Sequence, residues 1–465
     1  MRKLQKYSGK SFIPVFLILL FLGGTILPAQ TTVTIETVLI MVSDLLAESR
    51  FDEAITVFDT IPSPERDTSQ FRLLRASILS SAGRYAEALA IAQAVIREEP
   101  GNTEAMYVIS NIEGAQGRDS QQRLQLENIL RTDPNNAEAL IELGKIHLRN
   151  RNLREAASSF HRVFTNDQGN LDALLGLGQV FRINREWDEA EMFFNQAVRL
   201  HPNSPEAWTE RARLYRNAGF VINALDDLDT AARLDPNDYW IAIERGTLLL
   251  EIGRRTQALD EFQRAIALDP NESQAYIYTS ALKDEFGDLD GAMNDYIMLA
   301  RLRPEYYFAF EGLGLHYMRL EQWPEARDAF LEAYRRAPED HYFALLAAIN
   351  MVRIDMTGSR QFLSQAISRV NRESLEWFMF RLFYDMTAMS HAGERDMTMR
   401  LDRESNQILR ARMLFYMAQY YEIRGSTDLA NTHYMLVHDM DVRMRAIPEW
   451  RLIEWILRSR NLMPS

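Results

Sequence analysis

The sequence predicts an all-α solenoid built from tandem 34-residue helix–turn–helix repeats, and two periodic features support this fold class. Prolines stand at multiples of 34 residues from one another at Pro100, Pro134, Pro202, Pro236, Pro270, Pro304 and Pro338. When residues 35–374 are divided into ten windows of 34, position 20 is alanine in eight of them. A fixed period of this length is typical of stacked copies of one supersecondary unit, not of a closed globular domain.

The residue types within a window predict two helices that pack closely. Positions 4, 7, 8 and 11 share one face of a first helix, and positions 20, 24 and 27 share one face of a second helix. Small residues at positions 8 and 20 let the two backbones approach, so that bulky side chains can interlock around them. The eight alanines of position 20 are Ala54, Ala88, Ala156, Ala190, Ala224, Ala258, Ala292 and Ala326. The bulky residues of position 24 are Phe58, Phe160, Phe194, Leu228, Phe262, Tyr296 and Phe330.

Turn residues separate the helices at fixed places in the window. Gly83, Gly219, Gly253 and Gly287 stand at position 15, where the end of a helix favours a left-handed residue. The proline at position 32 cannot continue the second helix, so it predicts a turn into the next window. The Asp-Pro-Asn triplets at 133–135, 235–237 and 269–271 are turn signals that are expected also to supply helix caps.

These positions resemble the tetratricopeptide repeat, whose pattern has large, Leu, Gly and Tyr in the first helix and Ala, Phe, Ala and Pro in the second. Window 307–340 carries the pattern as Phe310, Leu313, Gly314, Tyr317, Ala326, Phe330, Ala333 and Pro338. The resemblance covers residues 35–374 as ten repeats and is best over 137–340. It implies a right-handed α-solenoid whose first helices line a concave, peptide-binding groove. The nearest alternative is the 35-residue RNA-binding helical repeat, which the strict spacing, the prolines and the net charge of −13 disfavour.

Beyond residue 374 the repeat pattern weakens, and we expect a divergent helical region over 375–465. A hairpin resembling one more repeat is predicted at 411–444, two residues out of phase, and Pro448 is expected to open a last helix. We interpret this region as a cap that covers the end of the stack. Its aromatic and methionine residues leave a second binding surface as the alternative. Each helix pair is expected to bury its apolar face only against its neighbours in the sequence.

The first 29 residues are typical of an export signal peptide. Arg2, Lys3, Lys6 and Lys10 precede a mostly apolar run over 12–26, and Ala29 ends a candidate cleavage site. The segment predicts an exported protein, periplasmic or secreted. The alternative is that residues 1–29 remain as an anchor in the inner membrane.

The sequence contains no recognisable set of catalytic or metal-binding residues. Cysteine is absent, which excludes disulfides, thiol nucleophiles and thiolate metal sites. The eight histidines show no ligand spacing, and neither a glycine-rich phosphate loop nor a nucleophile elbow is present. The negative charge disfavours nucleic-acid binding. We therefore predict no enzyme, no cofactor and no metal; an envelope enzyme with its site in 375–465 remains the alternative.

The resemblance places positions 2, 5, 9, 12 and 13 of each window in the concave groove. The candidate peptide-binding residues at these positions are Lys145, Arg149, Arg182, Arg213, Arg216, Trp240, Ile243, Ile277 and Phe308. Arginine can grip a carboxylate with paired hydrogen bonds, so residues 138–319 are predicted to bind a peptide with acidic and apolar side chains. The alternative is a solvated helix face whose charges are neutralised by nearby acids. The predicted function is a non-enzymatic interaction scaffold or assembly factor in a bacterial cell envelope.

Overall fold

The computed structural model describes residues 34–388, 393–441, 443 and 447–463, and these residues form helices without any β-strand. The predicted signal segment, residues 1–29, lies outside them. The helices are α1 (Ile35–Ala47), α2 (Phe51–Phe58), α3 (Ser63–Arg66), α4 (Ser69–Ser81), α5 (Tyr85–Glu98), α6 (Thr103–Ala115), α7 (Asp119–Thr132), α8 (Ala137–Arg149), α9 (Leu153–Asn166), α10 (Leu171–Asn184), α11 (Trp187–Leu200), α12 (Pro205–Ala218), α13 (Val221–Leu234), α14 (Tyr239–Glu251), α15 (Arg255–Leu268), α16 (Ser273–Phe286), α17 (Leu289–Leu302), α18 (Tyr307–Arg319), α19 (Trp323–Arg336), α20 (His341–Ile354), α21 (Ser359–Arg369), α22 (Leu375–Met386), α23 (Glu394–Arg403), α24 (Gln407–Ile423), α25 (Thr427–His438) and α26 (Trp450–Ser459).

The described residues divide into two compact units, with the boundary between Leu234 and Asp235. The first unit contains α1 to α13, which are six helix pairs and the one-turn helix α3. The second unit contains α14 to α26, in which four regular pairs are followed by a less regular C-terminal bundle. The all-helical class and the tandem helix pairs predicted from the sequence are thus confirmed.

The 34-residue register is kept by the first residue of every first helix. Eleven helices, from α1 at Ile35 to α22 at Leu375, begin at intervals of 34 residues. The register therefore continues through α22, one helix beyond the last window that the sequence pattern marked. It is lost at α24, which begins at Gln407, two residues before the next in-phase position.

The core of each pair depends on the small residues at positions 8 and 20. All eight position-20 alanines are completely buried. Phe160, at position 24, packs its ring between Gly144 of its own window and Gly176 of the next. A Cβ atom built on either glycine would come within 2.6 Å of that ring. Because real Cβ atoms do not approach so closely, glycine is required where the ring touches the helix backbone.

The turn between the two helices of a window uses a left-handed residue at position 15. The predicted glycines adopt it, for example Gly219 with φ of +88°. Arg151 and Arg185 hold the same place with φ of +58° and +63°, although their side chains disfavour this conformation. At these two turns the packing of the flanking helices therefore holds an arginine in the left-handed conformation, which arginine disfavours on its own.

The expected capping role of the Asp-Pro-Asn triplets is wrong in its detail. Asp133 accepts a hydrogen bond from the backbone N–H of Asn135 at 3.2 Å, which closes the turn. The helix cap is the following residue, Asn136, whose Oδ1 accepts from the N–H of Ala139 at 3.0 Å. Proline fixes the turn at position 32, so the chain reaches the extended conformation of an N-cap only at position 34.

The C-terminal bundle departs from the expectation that helices pack only against their neighbours in sequence. The last helix, α26, packs against α18, which lies more than a hundred residues earlier. It buries Leu452, Ile453, Ile456 and Leu457, so its apolar face requires more cover than α25 provides. Helix α24 is buried on nearly all sides, including Phe415 and Tyr416. The methionine and aromatic side chains of this helix thus belong to a core.

Replacing Gly144 by alanine tests the contact between ring and backbone. We expect Gly144→Ala to lower the free energy of unfolding by about 1–3 kcal/mol, because the Phe160 ring must move out of its packed position. Gly101→Ala is the matched control, since a Cβ there meets nothing within 4 Å. Thermal or urea unfolding followed by circular dichroism compares the two. Equal stability of both variants would show that the contact does not constrain the repeat.

Candidate peptide-binding surface

The predicted groove residues are divided between the two units. Lys145, Arg149, Arg182, Arg213 and Arg216 lie on the first helices α8, α10 and α12 of the first unit. The apolar candidates Trp240, Ile243, Ile277 and Phe308 lie on α14, α16 and α18 of the second unit. The cations and the apolar residues are therefore described separately, each within its own unit.

The cations of the first unit form ion pairs between neighbouring repeats. Lys145 Nζ lies 3.1 Å from Glu142 Oε1 and 3.1 Å from Asp172 Oδ1 of the next window. Burial lowers the pKa of Lys145, but these two carboxylates raise it, and the net shift is upward. Arg149 Nη2 lies 3.5 Å from Asp119 Oδ1 of the preceding window. The contacts with Asp172 and Asp119 link adjacent helix pairs, whereas the contact with Glu142 lies within α8.

Arg182 and Arg213 converge on one buried carboxylate. Glu210 is 7% exposed, and Arg213 Nη1 donates to its Oε1. Arg182 Nη2 stands 3.5 Å from Glu210 Oε2, at the limit of a hydrogen bond. The Nε of Arg182 is buried and makes no hydrogen bond. Arg216 is exposed near the end of α12. The structure thus brings Arg182 and Arg213 together and leaves the hydrogen bonding of Arg182 incomplete.

The apolar candidates differ in how much surface they offer. Ile243 is only 3% exposed and belongs to the core, so it is a poor contact for a partner. Trp240 is half-buried and packs edge-on against Tyr239, with ring centroids 5.0 Å apart. Phe308 is 47% exposed, and Ile277 is half-buried. Among these four, only Ile277 and Phe308 line the same cavity.

This cavity, of 420 Å³, lies inside the second unit between helices α16, α17 and α18 and the C-terminal segment that contains α26. The sequence analysis did not predict it, because the pattern gave no reason for α26 to reach α18. One signal was present in the sequence: position 5 of window 307–340 is Glu311, where most neighbouring windows carry an apolar residue.

Glu311 occupies an unusual electrostatic environment. Glu311 is 6% exposed. Burial, together with the nearby Glu449 carboxylate, raises the pKa of Glu311 to about 8. Arg412 opposes this shift, but its Nη2 is 3.8 Å from Glu311 Oε1. The same guanidinium makes its short contacts with Glu449, at 3.0 Å and 3.1 Å from Nε. Glu311 is therefore largely protonated at neutral pH.

A second polar group in the cavity is centred on Asp284. His316 Nε2 lies 2.8 Å from Asp284 Oδ1, and the Tyr296 hydroxyl donates to Oδ2 at 3.0 Å. Burial is the main reason that the pKa of Tyr296 is raised well above its ordinary value, and Asp284 adds to the shift. The arrangement fixes the orientation of His316, whose Nδ1 is buried without a hydrogen-bond partner.

The described residues contain no group of three or more His, Cys, Asp or Glu that could hold a metal ion. No helix within the same residues has the length and apolar character required to cross a lipid bilayer. In the C-terminal bundle, the buried Glu449 and Asp385 are paired with Arg412 and Arg381. Each of these two buried carboxylates is thus neutralised by an arginine of the same bundle.

The chain is a helical-repeat protein. Its helix pairs cross at small residues, and its first helices carry charged side chains. A family model described as tetratricopeptide repeat matches residues 41–103, 73–137, 115–162, 141–205, 209–273, 243–307 and 282–341. These stretches cover more than half of the chain, so the protein belongs to the tetratricopeptide repeat family. Repeats of this family typically build non-enzymatic scaffolds for protein interaction.

Several solved structures align with parts of this chain. A tetratricopeptide repeat protein from Parabacteroides merdae is 17% identical, with a TM-score of 0.43, and covers 53% of this chain and 98% of its own. YrrB, described as a TPR protein with an unusual peptide-binding site, is 22% identical, with a TM-score of 0.36, and covers 41% of this chain and 98% of its own. Pseudomonas aeruginosa pilF is 19% identical, with a TM-score of 0.39, and covers 43% of this chain and 92% of its own. No curated protein sequence gave a significant match.

The raised pKa of Glu311 predicts a defined pH dependence of stability. Between its ordinary value of 4.5 and its folded value of about 8, the folded chain keeps a proton that the unfolded chain has released. Stability therefore falls as pH rises through this window and levels off above it. Glu311→Gln should remove that slope, so the variant gains stability relative to the parent, by up to a few kcal/mol at pH 8.

Urea unfolding at several pH values between 4.5 and 9 measures this difference. Glu325→Gln, a change at an exposed residue of α19, is the control and should leave the pH slope as it is. A Glu311→Gln variant whose stability follows the parent at every pH would show that Glu311 titrates normally.

Proposed function

We propose that this protein is a non-enzymatic scaffold or assembly factor in the bacterial cell envelope, which binds a peptide or helical segment of a partner on the inner face of its first helices. Family membership supports the interaction role. The basic and apolar residues 1–29 support export to the envelope. The partner's segment carries carboxylates, because the five binding residues predicted for the first unit are all cations, although acids such as Asp172 lie at position 2 of the same face.

The observation that carries this proposal is the incomplete hydrogen bonding of Arg182. Its guanidinium has five donors, of which Nε makes no hydrogen bond and Nη2 has only the 3.5 Å contact with Glu210. Buried donors without partners are unfavourable, and a carboxylate provides the geometry that arginine pairs with best. An acidic side chain of a partner can reach the 19% of the Arg182 side chain that is exposed and would reinforce the single long contact of this guanidinium.

The ion pairs along the face set the chemistry of recognition. A partner carboxylate must compete with Asp172 for Lys145 and with Glu210 for Arg182. Specificity then depends on supplying several carboxylates at the spacing of the repeats, since any one of them gains little over the internal pair. An extended or helical segment with repeated acidic residues meets this requirement.

Replacing arginines on the inner face tests the proposed surface. A photo-crosslinking amino acid at position 216 should capture the partner in the cell, whereas the same probe at the outer position 199 should not. With the partner purified, Arg182→Gln/Arg213→Gln/Arg216→Gln should weaken binding by about tenfold to a hundredfold, as expected for lost charge-assisted hydrogen bonds. Titration calorimetry measures the change.

The matched control is Arg154→Gln/Arg199→Gln/Arg233→Gln, which removes three exposed arginines of second helices in the same unit. Glutamine is used in place of glutamate because a new acid beside the buried Glu210 would add an unpaired negative charge and destabilise the repeat. Circular dichroism of both triple variants tests whether they remain folded. Equal affinity of the two triple variants for the partner would reject this surface.

Export predicts a shortened chain in the cell. If the signal is removed after Ala29, N-terminal sequencing of the protein from its native host should begin at Gln30, and the protein should fractionate with the periplasm or medium. A chain that begins at Met1 and sediments with membranes would support the anchored adaptor. A full-length chain in the cytoplasm would contradict both forms of the envelope assignment.

A further inference from the structure

The C-terminal segment 447–457 covers part of the inner face of the second unit. Its helix α26 packs against α18, and Ile447, Leu452 and Trp455 line the cavity of 420 Å³ together with Glu311 of α18. The position of this segment therefore determines whether the inner face of α16 and α18 is covered. The segment is separate from the partner surface proposed above, which lies in the first unit.

Two carboxylates at this contact share one guanidinium. Glu449, directly before α26, is completely buried, and its two oxygens lie 3.0 Å and 3.1 Å from Arg412 Nε. The Tyr416 hydroxyl donates to Glu449 Oε1 at 2.9 Å. The contact with Glu311 is longer, because Arg412 Nη2 is 3.8 Å from Glu311 Oε1, beyond hydrogen-bonding distance. Arg412 thus neutralises Glu449 more closely than Glu311.

This geometry keeps Glu311 protonated while the segment is docked. An ionised Glu311 would add a second buried negative charge beside Glu449, where Arg412 is already paired. If the segment leaves α18, Glu449 moves away and water reaches Glu311. Arg412, which belongs to α24, then becomes available to Glu311.

We propose that segment 447–457 is a pH-dependent strap, in which Arg412 exchanges one carboxylate partner for the other. In the closed state Arg412 pairs with Glu449, Glu311 keeps its proton, and α26 lies on α18. In the open state Glu449 is in water, Glu311 is ionised and pairs with Arg412, and the inner face of α16 and α18 is uncovered. Acid favours the closed state, because opening releases the proton of Glu311.

The release of one proton determines the size of the effect. Burial and Glu449 raise the pKa of Glu311 from 4.5 to about 8 in the closed state. The ratio of open to closed chains should therefore rise about tenfold for each pH unit between these values and level off above them. The apolar side chains that α26 buries, such as Leu452 and Ile453, oppose opening at every pH.

Tyrosines face this contact from α17, the start of α18, α20 and α24, and they stay neutral in the relevant range of pH. Burial raises the pKa of each of them above its ordinary value of 10. They therefore contribute no change of charge between pH 5 and pH 9. These residues are Tyr296, Tyr306, Tyr307, Tyr342 and Tyr416.

The other ionisable groups around the contact have partners in the structure. These are Asp284 with His316, Asp340 with the N–H of Tyr342, Glu376 with the Tyr342 hydroxyl, Arg451 with Glu454, and Arg319 with Asp290. His438 of α25 stacks on Trp450 of α26, with ring centroids 6.0 Å apart. Histidine as a residue type titrates near neutral pH. A pH dependence that came from His316 or His438 would persist in Glu311→Gln, which distinguishes it from the proposed exchange.

Hydrogen exchange of the full chain, followed by mass spectrometry, measures the opening of α26. After division by the intrinsic exchange rate at each pH, peptides that cover 450–457 should open about tenfold more often for each pH unit between 5.5 and 8. Glu311→Gln should remove this rise and keep α26 protected. Glu449→Gln should also remove it, but with low protection at every pH, because Arg412 then pairs with Glu311 throughout. Glu325→Gln, at an exposed residue of α19, is the matched control and should behave like the parent.

Peptides that cover α15 provide the internal reference, since α15 belongs to the same unit, and they show whether each variant is folded. Helix α26 should open more readily than α15 at every pH. Equal opening of both would show that the whole unit unfolds together and would overturn the proposal. A parent without the rise, or a rise that persists in Glu311→Gln, would do the same. Protection of α26 in Glu449→Gln equal to that of the parent at pH 5.5 would reject the exchange of partners.

Discussion

The contact between an aromatic ring and a helix backbone that carries no Cβ is the constraint on which the well-formed repeats depend. Phe194, Phe262 and Phe330 each lie so close to the position-8 glycine of their own window that a Cβ there would be within 2.6 Å of the ring. Such packing fixes the depth and the rotation of one helix against the other. The inner faces of the first helices, and hence the groove residues, acquire their positions from this contact.

Most of the fold could be predicted because its constraints repeat with the chain. The alanines of position 20 and the turn at position 15 are local features, so their periodic recurrence was visible in the sequence. Arg151 and Arg185 at the left-handed turn were not visible in this way. A non-glycine residue there is unfavourable in isolation and is held by the packing of the two helices that it joins. Only the structure contains that information.

The sequence could predict which residues lie in the candidate site, but not which of them form ion pairs between repeats. The period identified Arg182 and Arg213 as inner-face cations. It could not show that Arg182 also reaches Glu210, since that contact depends on the rotation of one repeat against the next, whereas Arg213 and Glu210 are three residues apart on one helix. The cavity was even harder to predict from the sequence. Helices α26 and α18 are far apart along the chain, and a repeat pattern predicts contacts only between neighbouring repeats. Glu311 departs from the apolar pattern of position 5, and the structure places it in the lining of the cavity, near Arg412.

The C-terminal helix changes what the second unit can do. Repeats alone make open faces, and a partly enclosed cavity requires a segment that breaks the repeat and returns to the inner surface. The buried pair of Glu449 and Arg412 is a costly way to hold such a segment, because two well-packed apolar residues would often be as stable. A charged pair, however, tolerates few alternative positions of α26 on α18. We infer that its contribution is to the placement of α26, which determines the shape of the cavity between Phe308 and Trp455.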